Sequence, residues 1–175
     1  MQFNTKYRKR KKIVMAIISW TAMIGIAIGL AWVFVNYVAQ TTYMTGESMK
    51  PTLKNKQLVI VHKIGYQFQE PKRFDVIVFE NNKNNNSHFY IKRIIGLPGE
   101  TVQIVDGEVY INEEKLSGVP FKEDIVTAGL AAEPMELGEN EYFVMGDNAN
   151  NSEDSRSANI GNVVRENIIG KILCD

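Results

Sequence analysis

"TVQIVDGEVYINEEKL", residues 101–116, decides the fold class. Asp106-Gly107 suits a two-residue turn in which both residues need positive φ, and strand-like runs flank it, so the stretch predicts a β-hairpin. Short strand signals recur outward from it. "FYIKRIIG" (89–96) and "FDVIVFE" (74–80) are rich in β-branched and aromatic residues. "QLVIVHKI" (57–64) alternates Leu58, Ile60 and His62 against Val59, Val61 and Lys63. "EYFVMGDN" (141–148) reads as a strand running into a turn. No long segment of 3.6-residue period follows residue 38, so this part of the chain is expected to be mostly β. The polar run "NNKNNNS" (81–87) reads as a loop. Residues 118–139, punctuated by Gly and Pro, read as an irregular excursion with one helical turn.

The N-terminus has a different character. Residues 1–12 hold six basic residues and no acidic one. Residues 13–38 carry no charge over 26 positions, about 39 Å as a helix and long enough to cross a bilayer with some tilt. Trp32, Tyr37 and Tyr43 fall toward the far end, where interfacial aromatics belong. A cleavable leader would have a shorter apolar region, and "NYVAQTTY" lacks a clean small-x-small site, so an uncleaved anchor is expected. The division expected is thus a cytoplasmic basic segment (1–12), a single-pass transmembrane helix (13–38) and an extracytoplasmic β domain (39–175). The remainder of the chain has 14 basic against 20 acidic residues, which argues against a nucleic-acid partner. Cys174 is the single cysteine and can form no internal disulfide, which suits a bacterial surface. The sequons at Asn85 and Asn150 then read as chance matches.

Three segments could carry chemistry. Ser48 in "TGESMKPT" (45–52) follows the apolar run, and Pro51 restricts Lys50 to extended backbone. Met49 reads equally as surface or core. A serine hydroxyl needs a base within hydrogen-bond reach. Of the two histidines, His62 reads more simply as a strand-edge group, and His88 is a candidate base beside the Asn-rich loop. A lysine is the other candidate, provided burial lowers its pKa. Lys92 in "FYIKRIIGLPGE" fits best, with Ile91, Ile94 and Ile95 around it. Strand alternation puts Lys92 and Arg93 on opposite faces, so one can be buried while the other stays wet. The third segment, "GDNANNSEDSR" (146–156), is either a polar loop, a loose calcium loop lacking the terminal glutamate, or a supporting shell in which Asp154 pairs with Arg156 and a hydroxyl orients the lysine.

These segments together resemble the bacterial type I signal peptidases, most closely the short Gram-positive form. "GESMKPTL" resembles the family's nucleophile box, "RFDVIVF" its short strand box, "YIKRIIGLPGE" its lysine box and "GDNANNSEDSR" its last box, in that order behind an anchor. The resemblance implies Ser48 as nucleophile, Lys92 as general base, Ser152 as the hydroxyl that orients the amine, and Asp154 with Arg156 as a pair beneath the site. It implies a compact β domain of the type shared with LexA-like proteins, with a variable excursion at 106–139. Two departures stand out. Gly46 occupies the position where some relatives carry an oxyanion-hole serine, leaving the Ser48 N–H as the chief donor, and Ala149 stands where an arginine is common. The implied partners are signal peptides of exported preproteins, membrane lipid and the secretion translocon, with no metal or organic cofactor. A precursor peptidase dedicated to pilin-type substrates would carry the same boxes. A catalytically silent, membrane-anchored binding module is the alternative from another class.

Overall fold

The computed structural model describes residues 3–33, 39–81, 88–121 and 123–173. The chain divides into two compact units, Met1–Val38 and Ala39–Asp175. The first is one helix, α1 (Phe3–Val33), which runs back through most of the basic segment. Its apolar part, Lys11–Trp32, has a mean hydropathy of 2.3, and its residues are exposed. Residues 34–38, the end of the expected span, lie outside the described residues.

The second unit is built on strands. A seven-stranded sheet has the order β1 (Ala39–Tyr43), β2 (Leu58–His62), β11 (Ile168–Ile172), β3 (Val76–Asn81), β4 (His88–Gly96), β9 (Glu141–Met145), β10 (Val163–Val164). A four-stranded sheet has the order β7 (Glu114–Lys115), β6 (Glu108–Ile111), β5 (Thr101–Val105), β8 (Met135–Glu136). Neighbouring strands are antiparallel throughout. Between β2 and β3 lies a single helical turn, α2 (Gly65–Phe68). One 3-10 turn, Gly129–Ala132, interrupts the excursion, which matches the expected helical turn there.

β3 shows why the sequence forms a sheet centre. Val76 and Val78 enter one apolar cluster with Met49, Val59, Ile91 and Ile172. The alternate residues Ile77 and Phe79 enter a second with Ile94, Val144 and Ile168. A strand buried on both faces needs an unbroken apolar run, and "VIVF" supplies it. β2 instead buries Val59 and Val61 and exposes Leu58 and Ile60. The β5–β6 turn has φ of 51° at Asp106 and 79° at Gly107, as the Asp-Gly pair requires. The next turn, Asn112-Glu113, also has positive φ at both residues, 51° and 69°, without a glycine to announce it.

A third cluster joins the two sheets through Ile95, Val102, Ile104, Leu137, Phe143 and Met145. Gly96 closes this junction: a Cβ there would lie 2.6 Å from Val102 Cγ2 and 2.8 Å from Leu137 Cδ1. Elsewhere a polar knot fixes β11 to the start of β3. Asp75 accepts from Lys171 Nζ at 2.6 Å, from the Tyr66 hydroxyl at 2.8 Å and from the Lys72 N–H at 3.0 Å. Burial alone would raise the Asp75 carboxyl, but these donors hold it below the usual carboxylate range. Burial, and then the bond to Asp75, pushes the Tyr66 phenol up.

Gly96→Ala is expected to destabilise the β domain by about 1–3 kcal/mol through overpacking at the sheet junction. Denaturant unfolding of the full chain in detergent should show a lowered midpoint with no change of slope. An unchanged midpoint would mean the junction is looser than described.

Candidate active site

Ser48 is carried on the 44–57 loop between β1 and β2, and the loop is anchored from within. Met49 and Leu53 are buried in the cluster below it, so Met49 is core. The Leu53 N–H donates to the Met49 carbonyl at 2.8 Å and the Lys50 N–H to the Glu47 carbonyl at 3.2 Å, a tight turn that leaves Ser48 half-buried. The Lys50–Pro51 peptide is cis. Met44 closes the loop base by exchanging backbone bonds with Lys56 and Gln57. Gly46 adopts φ of 90°, and its N–H donates to Asn55 Oδ1 at 3.2 Å. Open space surrounds the place where a side chain at 46 would begin.

Lys92, near the middle of β4, is 4% exposed. Its Nζ lies 2.8 Å from Ser48 Oγ. Burial is the largest influence on the amine and brings its pKa down to about 8. The negative charges of Asp154 and Glu153 pull it up, and Arg156 pushes it down. The expected contrast with Arg93 does not hold. Its side chain is only 13% exposed, because Nε and Nη2 clamp the buried Asp147 carboxylate at 2.7 and 2.6 Å while Nη1 donates to the Phe74 carbonyl at 2.7 Å. A guanidinium one residue from the lysine can leave solvent only with such a partner. Thr52 donates its hydroxyl to the same carboxylate.

The 146–156 loop forms the other wall. Asp154 accepts from Arg156 Nε at 2.8 Å and Nη2 at 2.9 Å, and from the Gly146 N–H at 3.1 Å. Arg156 also donates to the carbonyls of Thr127, at 3.0 Å, and Ala149. Ala149 is packed in the core. Asp147 and Asp154, the carboxylates a calcium loop would use, are therefore each held by an arginine. Among the described residues no group of three or more His, Cys, Asp or Glu side chains is placed to hold a metal. Ser152 Oγ is shielded from solvent and has no hydrogen-bond partner among the described residues.

Two residues that the sequence did not single out join the loops. The Asn148 N–H donates to the Ser48 carbonyl at 2.9 Å, and Asn148 Nδ2 donates to the Glu47 carbonyl at 3.2 Å. A Cβ on Gly146 would run into the Ser152 side chain and the Ser48 carbonyl, so both press against that glycine. Of the histidines, His62 is half-buried in β2 between β1 and β11, and His88 is exposed at the start of β4. A cleft of about 310 Å³ is lined by Ser48, Lys92, His88, Tyr90 and Thr42–Thr45. Chemically, a buried amine that loses its proton near pH 8 can accept the proton of a hydroxyl 2.8 Å away.

The chain matches the family described as signal peptidase, peptidase S26, over residues 17–174. It is similar to a signal peptidase I from Leptolyngbya laminosa, 41% identical over 159 residues that cover 86% of this chain and 74% of that one. It is also similar to a signal peptidase I from Bacillus amyloliquefaciens, 35% identical over 163 residues that cover 89% of this chain and 85% of that one. A solved signal peptidase I from Enterococcus faecalis is 33% identical, with a TM-score of 0.49, over 60% of this chain and 98% of that one.

Burying Lys92 carries a pH signature. Between pH 8 and 10.5 the unfolded lysine holds its proton and the folded one has released it, so stability rises with pH across that window. Lys92→Met removes this dependence. The stability gap between Lys92→Met and wild type should be largest below pH 8 and shrink by about 3 kcal/mol by pH 10.5. Denaturant titrations of both proteins across pH 7–10.5 read it. A gap that does not change with pH would show that Lys92 is not desolvated in the folded chain.

Proposed function

The chain belongs to the signal peptidase family, peptidase S26, and is a serine peptidase that removes signal peptides; from that premise we propose that Ser48 is its nucleophile and Lys92 its general base. The observation that carries the proposal is the 2.8 Å approach of a buried amine to the Ser48 hydroxyl. Neutral Lys92 takes the proton from Ser48 Oγ as that oxygen attacks the scissile carbonyl. The Ser48 N–H holds the developing oxyanion. The C–N bond then breaks, and Lys92 gives its proton to the leaving amine. Water enters, loses a proton to the same amine, and hydrolyses the acyl-enzyme. Ser152 orients the Lys92 amine; its hydroxyl has no competing partner. Asp154 and Arg156 brace the loop that carries it.

The residues before the scissile bond bind extended in the cleft beside Thr42–Thr45, where Val78 and Ile91 offer apolar walls to small side chains. Edge strand β1 leads directly into this wall. α1 anchors the enzyme in the lipid bilayer as a single pass, and its six leading positive charges keep the N-terminus cytoplasmic. The β domain then acts outside, where the translocon delivers its substrates.

Full-length protein in detergent should cleave a preprotein at its signal-peptide junction. Ser48→Ala and Lys92→Ala should each lower kcat by at least about 10³-fold, while His88→Ala keeps most activity. For wild type, kcat/KM should climb tenfold per pH unit below about pH 8 and level off above it, because only neutral Lys92 is a base. Activity surviving in Lys92→Ala but lost in His88→Ala would move the base to His88. A folded wild type that cleaves none of several preproteins would sink the reading for general substrates.

A further inference from the structure

The cleft that holds Ser48 and Lys92 is not the largest on the β domain. A cavity of about 500 Å³ is lined by Val126, Thr127, Ser152, Arg156 and Ser157, among others. It shares Ala149 and Asn150 with a smaller cavity of about 230 Å³ that reaches Lys50, Pro51 and Asn148. Two contacts tie this second cleft to the serine. Ser152 and the Ser48 carbonyl press on the same glycine, Gly146, and Asn148 donates to the Ser48 carbonyl. We propose that this second cleft binds the polypeptide that follows the scissile bond, the first residues of the mature protein, with Val126 and Thr127 forming its outer lip. The assignment rests on the Ser48–Lys92 reading above.

The walls are built to hold a shape. Thr127 accepts from Arg156 Nη1 at 3.0 Å, and the Leu130 N–H donates to the Arg156 carbonyl at 2.9 Å. Asn150 bridges the gap from the other side, donating to the Asp124 carbonyl at 3.0 Å and accepting from the Val126 N–H at 2.9 Å. The 124–130 segment is thus fastened to the 149–157 loop at four points. Val126 is 83% exposed at the lip of the cleft.

Polarity separates the two clefts. Cleavage leaves an uncharged acyl group on Ser48 and an amine that departs with a proton from Lys92. The strongest negative influences on the Lys92 amine come from Asp154 and Glu153. Asp154 lines the second cleft together with Arg156, its ion-pair partner. The amine leaves neutral, as –NH2, and the polar wall there can accept its hydrogen bonds. The first cleft presents Val78, Phe89 and Ile91 and suits uncharged side chains. The hydroxyl residues Thr127 and Ser157 also line the second cleft and suit a peptide amide.

The test compares two substrates of one sequence before the bond. One continues for six residues beyond it, and the other ends there as a methyl ester, whose leaving group is too small to reach the second cleft. Val126→Trp and Thr127→Trp, at exposed positions, narrow the lip. In each variant the ratio of kcat/KM for the extended peptide to that for the ester is expected to fall roughly tenfold relative to wild type, a misplacement of the leaving chain. A ratio equal to that of wild type in both variants overturns the proposal, whether the two rates are unchanged or fall together. Ester hydrolysis that survives Ser48→Ala would instead sink the Ser48 reading, and it is scored separately from the ratio.

Discussion

Everything at this site depends on keeping one ammonium group out of water. An exposed lysine is protonated at neutral pH and cannot take a proton from a serine. Burial in the middle of β4 moves Lys92 to about 8, so a useful fraction of the amine is neutral near physiological pH. The sheet supplies this at a cost in stability, since a residue of better-matched polarity would pack there more favourably. In the proposed dyad, Ser48 must then come to the lysine. The loop that carries it is pinned from below by Met49 and Leu53 and from the side by Asn148, so the 2.8 Å approach follows from packing on both flanks.

The charges around the amine are arranged so that few are free. Asp147 is taken by Arg93 and Asp154 by Arg156, each through two nitrogens. Buried pairs of this kind contribute little net stability, because desolvating both ions offsets their attraction. Their value here is geometric. Arg93 ties β4 to the turn after β9, and Arg156 ties that turn to the 127–130 segment. The pairing also limits how far the acidic loop can pull the lysine back toward its ordinary pKa. An unpaired Asp154 would act on the amine without the opposing Arg156 charge.

Much of this is legible in the amino-acid sequence. The Asp106-Gly107 turn, the doubly buried run of β3 and the apolar neighbours of Lys92 are local signals, and local signals survive folding. The missed strands share one feature. β1 (Ala39–Tyr43) is mostly polar or small, and β8 and β10 are two residues each, so their partners define them and composition does not. β11 carries no strand signal in the reading above, yet it lies between β2 and β3, a placement no periodicity reports. At the site, strand alternation alone leaves Arg93 wet, but a buried carboxylate pairs its guanidinium. That carboxylate is Asp147, in the polar 146–156 segment. Gly146 and Asn148 act through backbone contacts to Ser48, which sequence does not display.

The most direct measurement is the titration of Lys92 itself, by NMR of lysine side chains carbon-13 labelled at Cε, in full-length protein in detergent with Lys92→Met to assign the resonance. The account predicts a midpoint near 8, lowered from the ordinary lysine value by burial. A midpoint near 10.5 would contradict it, because an amine still fully protonated at neutral pH could not act as the base for Ser48.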